Sequence, residues 1–384
     1  MVRATKPKQV MIIAGEVSGD LHGAQVVHAI RRQWSETVFF GMGGTAMASA
    51  GVQILVDAAS VSVVGITEVF THIGPILGGF RIIKRALYDR RPDLLLLIDF
   101  PDFNLRVARI AKSLDIPVLY YISPQIWAWR TGRVKMIQKR VDHMAVIFPF
   151  EPQFFTDNAI DVTYVGHPLL DHKWPPISIP QDHPFPVIGL LPGSRNQEIK
   201  RHLPVMLESM VAINRHFDQS QFLIAPVNKP QRAFASAMVK NQHVSASCDI
   251  IEGGARAIFS RCHMVIAASG TVTLEAAIAG VPMVVIYKVS PLSYLLGRIL
   301  IRVNYISLVN LIAGREIVPE LIQKDASPAN ITRKAVEILG HPNRLDEIRR
   351  DLANIREKLG SGGTARQVAQ IAIEMIGKSE ETRR

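Results

Sequence analysis

The sequence predicts an α/β protein built from two Rossmann-like domains. Three observations predict it. Short apolar runs, among them Val10 to Ala14, Asp93 to Ile98, Val187 to Leu191 and Met264 to Ala267, alternate with segments of helical period, the pattern of a parallel sheet covered by helices. The runs form two groups, divided where Pro168, Pro175, Pro176, Pro180, Pro184 and Pro186 crowd together. Several runs end in short turns that lead straight into a helix, which aims backbone N–H groups at one point and favours an anion there. The expected domains are 1–170 and 187–358, with a linker at 171–186 and a closing helix and tail at 359–384. That helix either crosses back to the first domain or packs on a second subunit, and periodicity does not choose between them. A chain of 384 residues suits this division, at roughly 150 residues per domain.

The balance of 44 Lys plus Arg against 33 Asp plus Glu suits nucleic acid, anionic lipid or phosphorylated small substrates. Nucleic acid is not expected, because aromatics are only 7% and no reading motif occurs. Cys248 and Cys262 lack metal-ligand spacing and read as buried thiols in a reducing compartment. Val10 to Ala14 is too short for a signal core, and no apolar run reaches membrane-span length. The expectation is a cytosolic protein that can still touch a membrane surface.

In chain order, Val10 to Ala14 opens the first domain as a buried strand. Gly15 to Asp20 (GEVSGD) is its turn and Leu21 to Arg32 its helix. GxGxxG spacing is absent, so no dinucleotide site is read. The glycines either admit a ligand close to the backbone or only shape a tight turn. Val38 to Phe40 is the second strand. Pro75 to Arg91 mixes Ile76, Leu77, Phe80 and Ile82 with Arg81, Lys84 and Arg85. It reads as a sheet-covering helix with a solvated basic side, or as a segment lying on an anionic bilayer. Asp93 to Ile98 is a strong strand ending at Asp99, where a carboxylate can act as a general base or serve the loop. Asp102 reads as a cap for a helix from Leu105 to Leu114. Ser123 to Arg130 carries Trp127 and Trp129 beside a cation, suited to an amphipathic anion or to packing. His167, before a proline, reads as structural.

In the second domain, Val187 to Leu191 leads into Pro192-Gly193-Ser194-Arg195, with Ser194 and Gln197 matching a capping box. Arg195 offers a planar fork of donors. Ala268 to Lys288 is strand, loop, helix and strand, with Ser269, Gly270 and Thr271 at the helix start. Thr271 and Glu275 share a helix face, so a diphosphate at the helix tip with its ribose near Glu275 is one reading and an ordinary capped helix the other. Pro291 to Asn310 is apolar but broken by Arg298 and Arg302, which leaves interfacial contact open. Pro328 to Gly340, Arg344 to Leu359 and Thr364 to Ile376 read as helices, with a tail from Lys378 expected to fray.

Taken together, AGEVSGD (14–20), IDFPDFN (98–104), SPQIWAWR (123–130), FPFE (148–151), VGHPLLD (165–171), LLPGSRNQE (190–198), ASGTVTLE (268–275) and NLIAGRE (310–316) fall in order along most of the chain. The set resembles the lipid-A-disaccharide synthase family, inverting glycosyltransferases of the GT-B type with two Rossmann-like domains facing across a cleft. Val309 departs from that pattern, which favours proline there.

The resemblance implies UDP-2,3-diacylglucosamine as donor and 2,3-diacylglucosamine 1-phosphate (lipid X) as acceptor, giving a β-1,6 disaccharide 1-phosphate and UDP. It implies Asp99 as general base and Arg195 as the cation on the leaving diphosphate. The donor would be held by Gly193, Ser194, Arg195, Glu198, Ser269, Gly270, Thr271, Glu275 and Asn310. The acceptor, in the first domain, would be held by Gly15, Glu16, Ser18, Asp102, Asn104, Gln125, Trp127 and Arg130. No Asp-x-Asp pair suited to a divalent cation flanks these loops, so no metal or cofactor is expected. Acylated substrates imply peripheral contact with an anionic membrane, on the inner face of the cytoplasmic membrane, and a homodimer is compatible. Rival readings are a peptidoglycan GlcNAc transferase, a UDP-GlcNAc 2-epimerase, or a noncatalytic phospholipid- or nucleotide-binding module of the same fold.

Overall fold

The computed structural model describes residues 7–61, 73–128, 131–174, 185–226, 228–241, 247–291, 294–295, 297 and 303–383. Trp129, Arg130, Arg298, Arg302 and most of the Pro-rich linker lie outside the described residues. The chain forms two compact units, Met1–Asp171 with Gly360–Arg384, and His172–Leu359.

The first unit contains β1 (Gln9–Ala14), β2 (Val38–Gly43), β3 (Gln53–Asp57), β4 (Leu94–Ile98), β5 (Val118–Tyr121), β6 (His143–Val146) and β7 (Val162–Tyr164). They form one parallel sheet in the order β3-β2-β1-β4-β5-β6-β7. β4 is central, and Leu94, Leu95, Leu96, Leu97 and Ile98 are all fully buried. A strand covered on both faces has no polar side, so it reads as an unbroken apolar run. Truncating one of these leucines to alanine costs about 2–5 kcal/mol. β1 lies beside β4 with Val10 opposite Leu94 and Ala14 opposite Ile98, so both strands end at the same level.

The second unit contains β8 (Val187–Leu191), β9 (Gln221–Ile224), β10 (Ser247–Ile250), β11 (Met264–Ala268), β12 (Met283–Tyr287) and β13 (Glu320–Ile322). Its parallel sheet runs β10-β9-β8-β11-β12-β13. In each sheet the strand order reverses once, between β1 and β4 and between β8 and β11. Such reversals splay the following loops apart and leave a crevice beyond the strand ends. The four loops in question begin at Gly15, Asp99, Pro192 and Ser269.

Two local expectations change. The first helix starts at Val17, so Ser18, Gly19 and Asp20 belong to its first turn and the connecting turn is only Gly15-Glu16. Asp20 is buried, and its carboxylate accepts from the N–H groups of Gly44, Ala46 and Met47 at 2.7, 2.9 and 3.0 Å. It therefore organises the start of the Thr45–Ser49 helix. The last helix runs from Thr364 to Arg383 instead of fraying at Lys378. It packs on the Val17–Arg31 helix, burying Val368, Ala369, Ala372 and Ile376, and Glu380 pairs with Lys8.

Candidate active site

In the first unit the site begins where β4 stops. Asp99 and Phe100 are consecutive left-handed residues, with φ of 45° and 48°. This conformation costs a side-chain-bearing residue roughly 1–2 kcal/mol. Two donors hold the turn in place. The Tyr120 hydroxyl and the Asn104 amide each donate to the Asp99 carbonyl at 2.6 Å. The Asp99 N–H in turn donates to Tyr121 O at 3.1 Å. Phe100 lies over Gly15, where a Cβ would fall 2.3 Å from the ring, so only glycine fits beneath it.

Burial, and then the neighbouring Glu16 carboxylate, push the Asp99 carboxyl up to about 6. A carboxyl tuned to that range can hold and release a proton near neutrality, as a general base requires. Gly15 is buried, whereas Glu16 and Ser18 are exposed.

Other residues expected at the acceptor differ in use. Asn104 is fully buried, and its amide N–H groups donate to the Asp99 and Ile98 carbonyls, so it shapes the turn, while its Oδ1 has no hydrogen-bond partner among the described residues. Asp102 is the second residue of the Pro101–Ser113 helix, not its cap, because the chain enters that helix at Phe100. Its exposed carboxylate pairs with Arg133. Gln125 is exposed. Trp127 is half-buried, turns its indole N–H to Glu151 at 3.1 Å and meets Phe150 edge to face at 4.8 Å.

Glu151, the last residue of FPFE, is a further buried carboxylate in this unit. It is fully buried and accepts from Ile147 N at 3.1 Å and Phe148 N at 2.9 Å. Burial raises its carboxyl to about 7. His167 accepts from Leu169 N at 3.2 Å, and burial followed by the nearby His22 lowers it to about 3, so it is neutral and structural.

In the second unit, Gly193, Ser194, Arg195, Glu198, Ser269, Gly270, Thr271 and Glu275 line one cavity of about 660 Å³. Gly253, Gly254 and Arg256 complete its wall. The GG pair after β10 was the available signal for that wall, with φ of 101° and 70°. Thr271 opens a helix in which the Thr273 N–H already donates to Gly270 O at 3.1 Å, while the first two amides, of Thr271 and Val272, lack an intrahelical acceptor and belong to residues that line the cavity.

The loop after β8 is arranged differently from expectation. Its cap partner is Glu198, not Gln197. The Glu198 carboxylate accepts from Ser194 N at 2.8 Å and Arg195 N at 3.2 Å. Those two amides are therefore already occupied. Arg195 touches Glu198 only at 3.3 Å and its side chain is 73% exposed, so the guanidinium can swing. His202 braces the loop from below. Its Nδ1 donates to Pro192 O at 2.9 Å, and its Nε2 accepts from Lys288 N at 3.0 Å. Burial lowers its pKa, consistent with that neutral tautomer.

Glu275 receives Arg256 through Nη2 at 3.1 Å and Nε at 3.3 Å, both on one oxygen, which leaves the other for a ligand. Arg256 also lies 4.7 Å over the Trp174 ring. Asn310 does not join the cavity. It is fully buried, accepts from Ile317 N and Val318 N at 2.8 and 3.1 Å, and donates to Val318 O and Glu320 at 2.8 Å. All its polar valences hold the following loop. Val309 is the second residue of the Leu308–Ala313 helix, where no intrahelical N–H bond is made and proline and valine are both compatible.

A family model described as lipid-A-disaccharide synthetase matches residues 10–375. The lipid-A-disaccharide synthase of Geobacter sulfurreducens is 44% identical over 377 residues, covering 96% of this chain and 98% of its own. That of Nitrosococcus oceani is 41% identical over 374 residues, covering 96% of each. Among solved structures, UDP-GlcNAc 2-epimerase from Neisseria meningitidis bound to UDP-GlcNAc superposes with a TM-score of 0.63 at 13% identity, over 96% of this chain and all of that one. MurG of Acinetobacter baumannii gives 0.58 at 13% identity, again over 96% and 100%. At these identities the structural likeness speaks for the fold alone, two parallel-sheet α/β domains of the GT-B kind.

Proposed function

The chain belongs to the lipid-A-disaccharide synthase family and is a glycosyltransferase, and from that premise we propose its reaction and the residues that perform it. The donor is UDP-2,3-diacylglucosamine and the acceptor 2,3-diacylglucosamine 1-phosphate. The acceptor 6-hydroxyl attacks the anomeric carbon as the bond to UDP breaks, with inversion, giving the β-1,6 disaccharide 1-phosphate.

Asp99 takes the hydroxyl proton. Its raised pKa makes it a stronger base than an exposed aspartate, and the clamped turn holds it still, help worth ~10²–10⁴ in rate. The leaving diphosphate gains charge in the second unit's cavity. The amides of the Thr271 helix start and the mobile Arg195 guanidinium stabilise it there. Because Glu198 already fills the Ser194 and Arg195 amides, these contribute only if that carboxylate moves aside. Glu275, steadied by Arg256, accepts from ribose hydroxyls. The chain's own positive groups serve where other transferases use a divalent cation, so chelator is expected to leave turnover unchanged.

The acylated substrates place the reaction at a membrane surface, on the cytoplasmic face. No helix among the described residues is long and apolar enough to cross a membrane. The Ile73–Arg90 helix buries Ile83 and Leu87 and exposes Leu77, Ile82 and Tyr88 beside Arg81, Lys84 and Arg85. That outer face suits peripheral binding to anionic lipid.

The observation that carries this reading is the single cavity lined by eight of the donor residues read from the motifs. The test is purified protein with UDP-2,3-diacylglucosamine, with and without lipid X. UDP and disaccharide formed only with lipid X support it. Acceptor-free conversion of UDP-GlcNAc would instead identify an epimerase.

A further inference from the structure

A second cavity, of about 720 Å³, lies wholly in the first unit, between the Ile73–Arg90, Pro101–Ser113 and Val134–Arg140 helices. The donor cavity and its residues play no part in it. One wall carries Arg106 and Arg109, one helical turn apart on the same face. The opposite wall carries Arg133 and Arg140. Asp102, paired with Arg133, is the one carboxylate in the lining, so four guanidiniums leave three positive charges in excess.

Arg140 donates to Leu105 O at 3.0 Å, which fixes it at the rim. Among the described residues, neither Arg106 nor Arg109 has a hydrogen-bond or ion-pair partner. Between the charged walls the lining is apolar, supplied by Phe80, Leu105, Ile110 and Met136. Unneutralised guanidiniums facing one another repel, and a planar fork of donors is well shaped for a phosphate. A charged rim over an apolar floor is the complement of an amphiphile with an anionic head.

We propose that this groove binds one acidic glycerophospholipid, its phosphodiester between Arg106, Arg109 and Arg140 and the start of an acyl chain against Phe80, Ile110 and Met136. Membrane lipid is the favoured source because the groove adjoins the helix that exposes Leu77 and Ile82 among basic residues. The proposal rests on the membrane reading above and extends it from a surface to a pocket.

The test uses the full chain and a monomeric lipid, so that bilayer adhesion does not enter. Titration calorimetry with dihexanoyl phosphatidylglycerol below its micelle concentration is compared with dihexanoyl phosphatidylcholine and with inorganic phosphate. The anionic lipid is expected to bind at least about tenfold tighter than either, since each comparison removes the net charge or the chain. Arg106→Gln with Arg109→Gln, both exposed, is expected to weaken it about tenfold or more with near-UV circular dichroism unchanged. Met136→Glu, in the apolar lining, is expected to do the same, and Arg344→Gln with Arg349→Gln in the second unit to do nothing. Equal binding of both lipids, phosphate binding that matches the anionic lipid, or full affinity in the Arg106/Arg109 variant would each overturn the proposal. Vesicle cosedimentation of an Arg81/Lys84/Arg85 variant reads the membrane face separately, so loss of one does not mimic loss of the other.

Discussion

The two switch points share an architecture and invert its electrostatics. In the first unit the loops after β1 and β4 bring together two carboxylates, Glu16 and Asp99, and burial makes the second reluctant to ionise. In the second unit the loops after β8 and β11 present helix-start amides and a loosely held arginine. The backbones differ in the same sense. Asp99 and Phe100 are forced into left-handed geometry and clamped by side chains, whereas Gly193 reaches φ of 120° at little steric cost. One fold can thus gather carboxylates at one crevice and positive donors at the other. The difference lies in which residue types occupy two short loops.

The sharpest way to break this contrast is Asp99→Asn. Turnover with lipid X is expected to fall ~10²–10⁴-fold, and unchanged turnover would remove Asp99 as the base. The same variant has a stability signature. A folded-state carboxyl raised to about 6 binds its proton more tightly than the unfolded chain does, so the parent loses stability as pH rises from about 4 towards 6. The asparagine variant escapes that loss. Denaturation is expected to find it more stable than the parent above pH 6, with the gap closing at about pH 4. The parent's kcat/KM is expected to decline on the acid side through about pH 6.

Next in size is Arg195→Ala, expected to lower kcat ~10²–10³-fold, the scale of losing one donor to a developing anion. A change confined to donor KM would move Arg195 from the transition state to ground-state binding. Tyr120→Phe removes one of two donors on the Asp99 carbonyl. It is expected to lower kcat by ~5–10-fold with acceptor KM nearly unchanged. Unaltered kcat would mean that Asn104 alone fixes the turn. Glu198→Gln tests whether that carboxylate obstructs the diphosphate. UDP is expected to bind ~3-fold tighter by calorimetry, and weaker binding would make Glu198 a support of the site. The smallest effect is Val309→Pro, expected to change unfolding free energy by about 1 kcal/mol or less.

The sequence was most legible where one side chain sufficed. Leu94 to Ile98 announced itself because a strand buried on both faces carries no polar interruption. The loops at Asp99, Gly193 and Ser269 could be located because each follows such a strand. What stayed hidden were partnerships. Asn310 looks like a ligand-binding amide in one dimension, and only folding reveals the groups that consume it, as it reveals the carbonyls that take the Asn104 N–H donors. Glu275 needed Arg256, nineteen residues earlier, and Glu198 competes with any anion for two amides. The buried Glu151 was invisible because nothing local separates a carboxylate that caps its own turn from one facing solvent.

The polypeptide leaves the first unit at Asp171 and re-enters it at Gly360. During synthesis the side of the Val17–Arg31 helix that packs on the last helix therefore waits uncovered while the whole second unit emerges, and its cover, the Thr364–Arg383 helix, comes off the ribosome afterwards. A nascent chain stopped near Leu359 should hold a finished rear half and an unfinished front half, the reverse of the usual vectorial order. Premature stop codons in the last two dozen or so positions would then damage the part of the protein that was translated first.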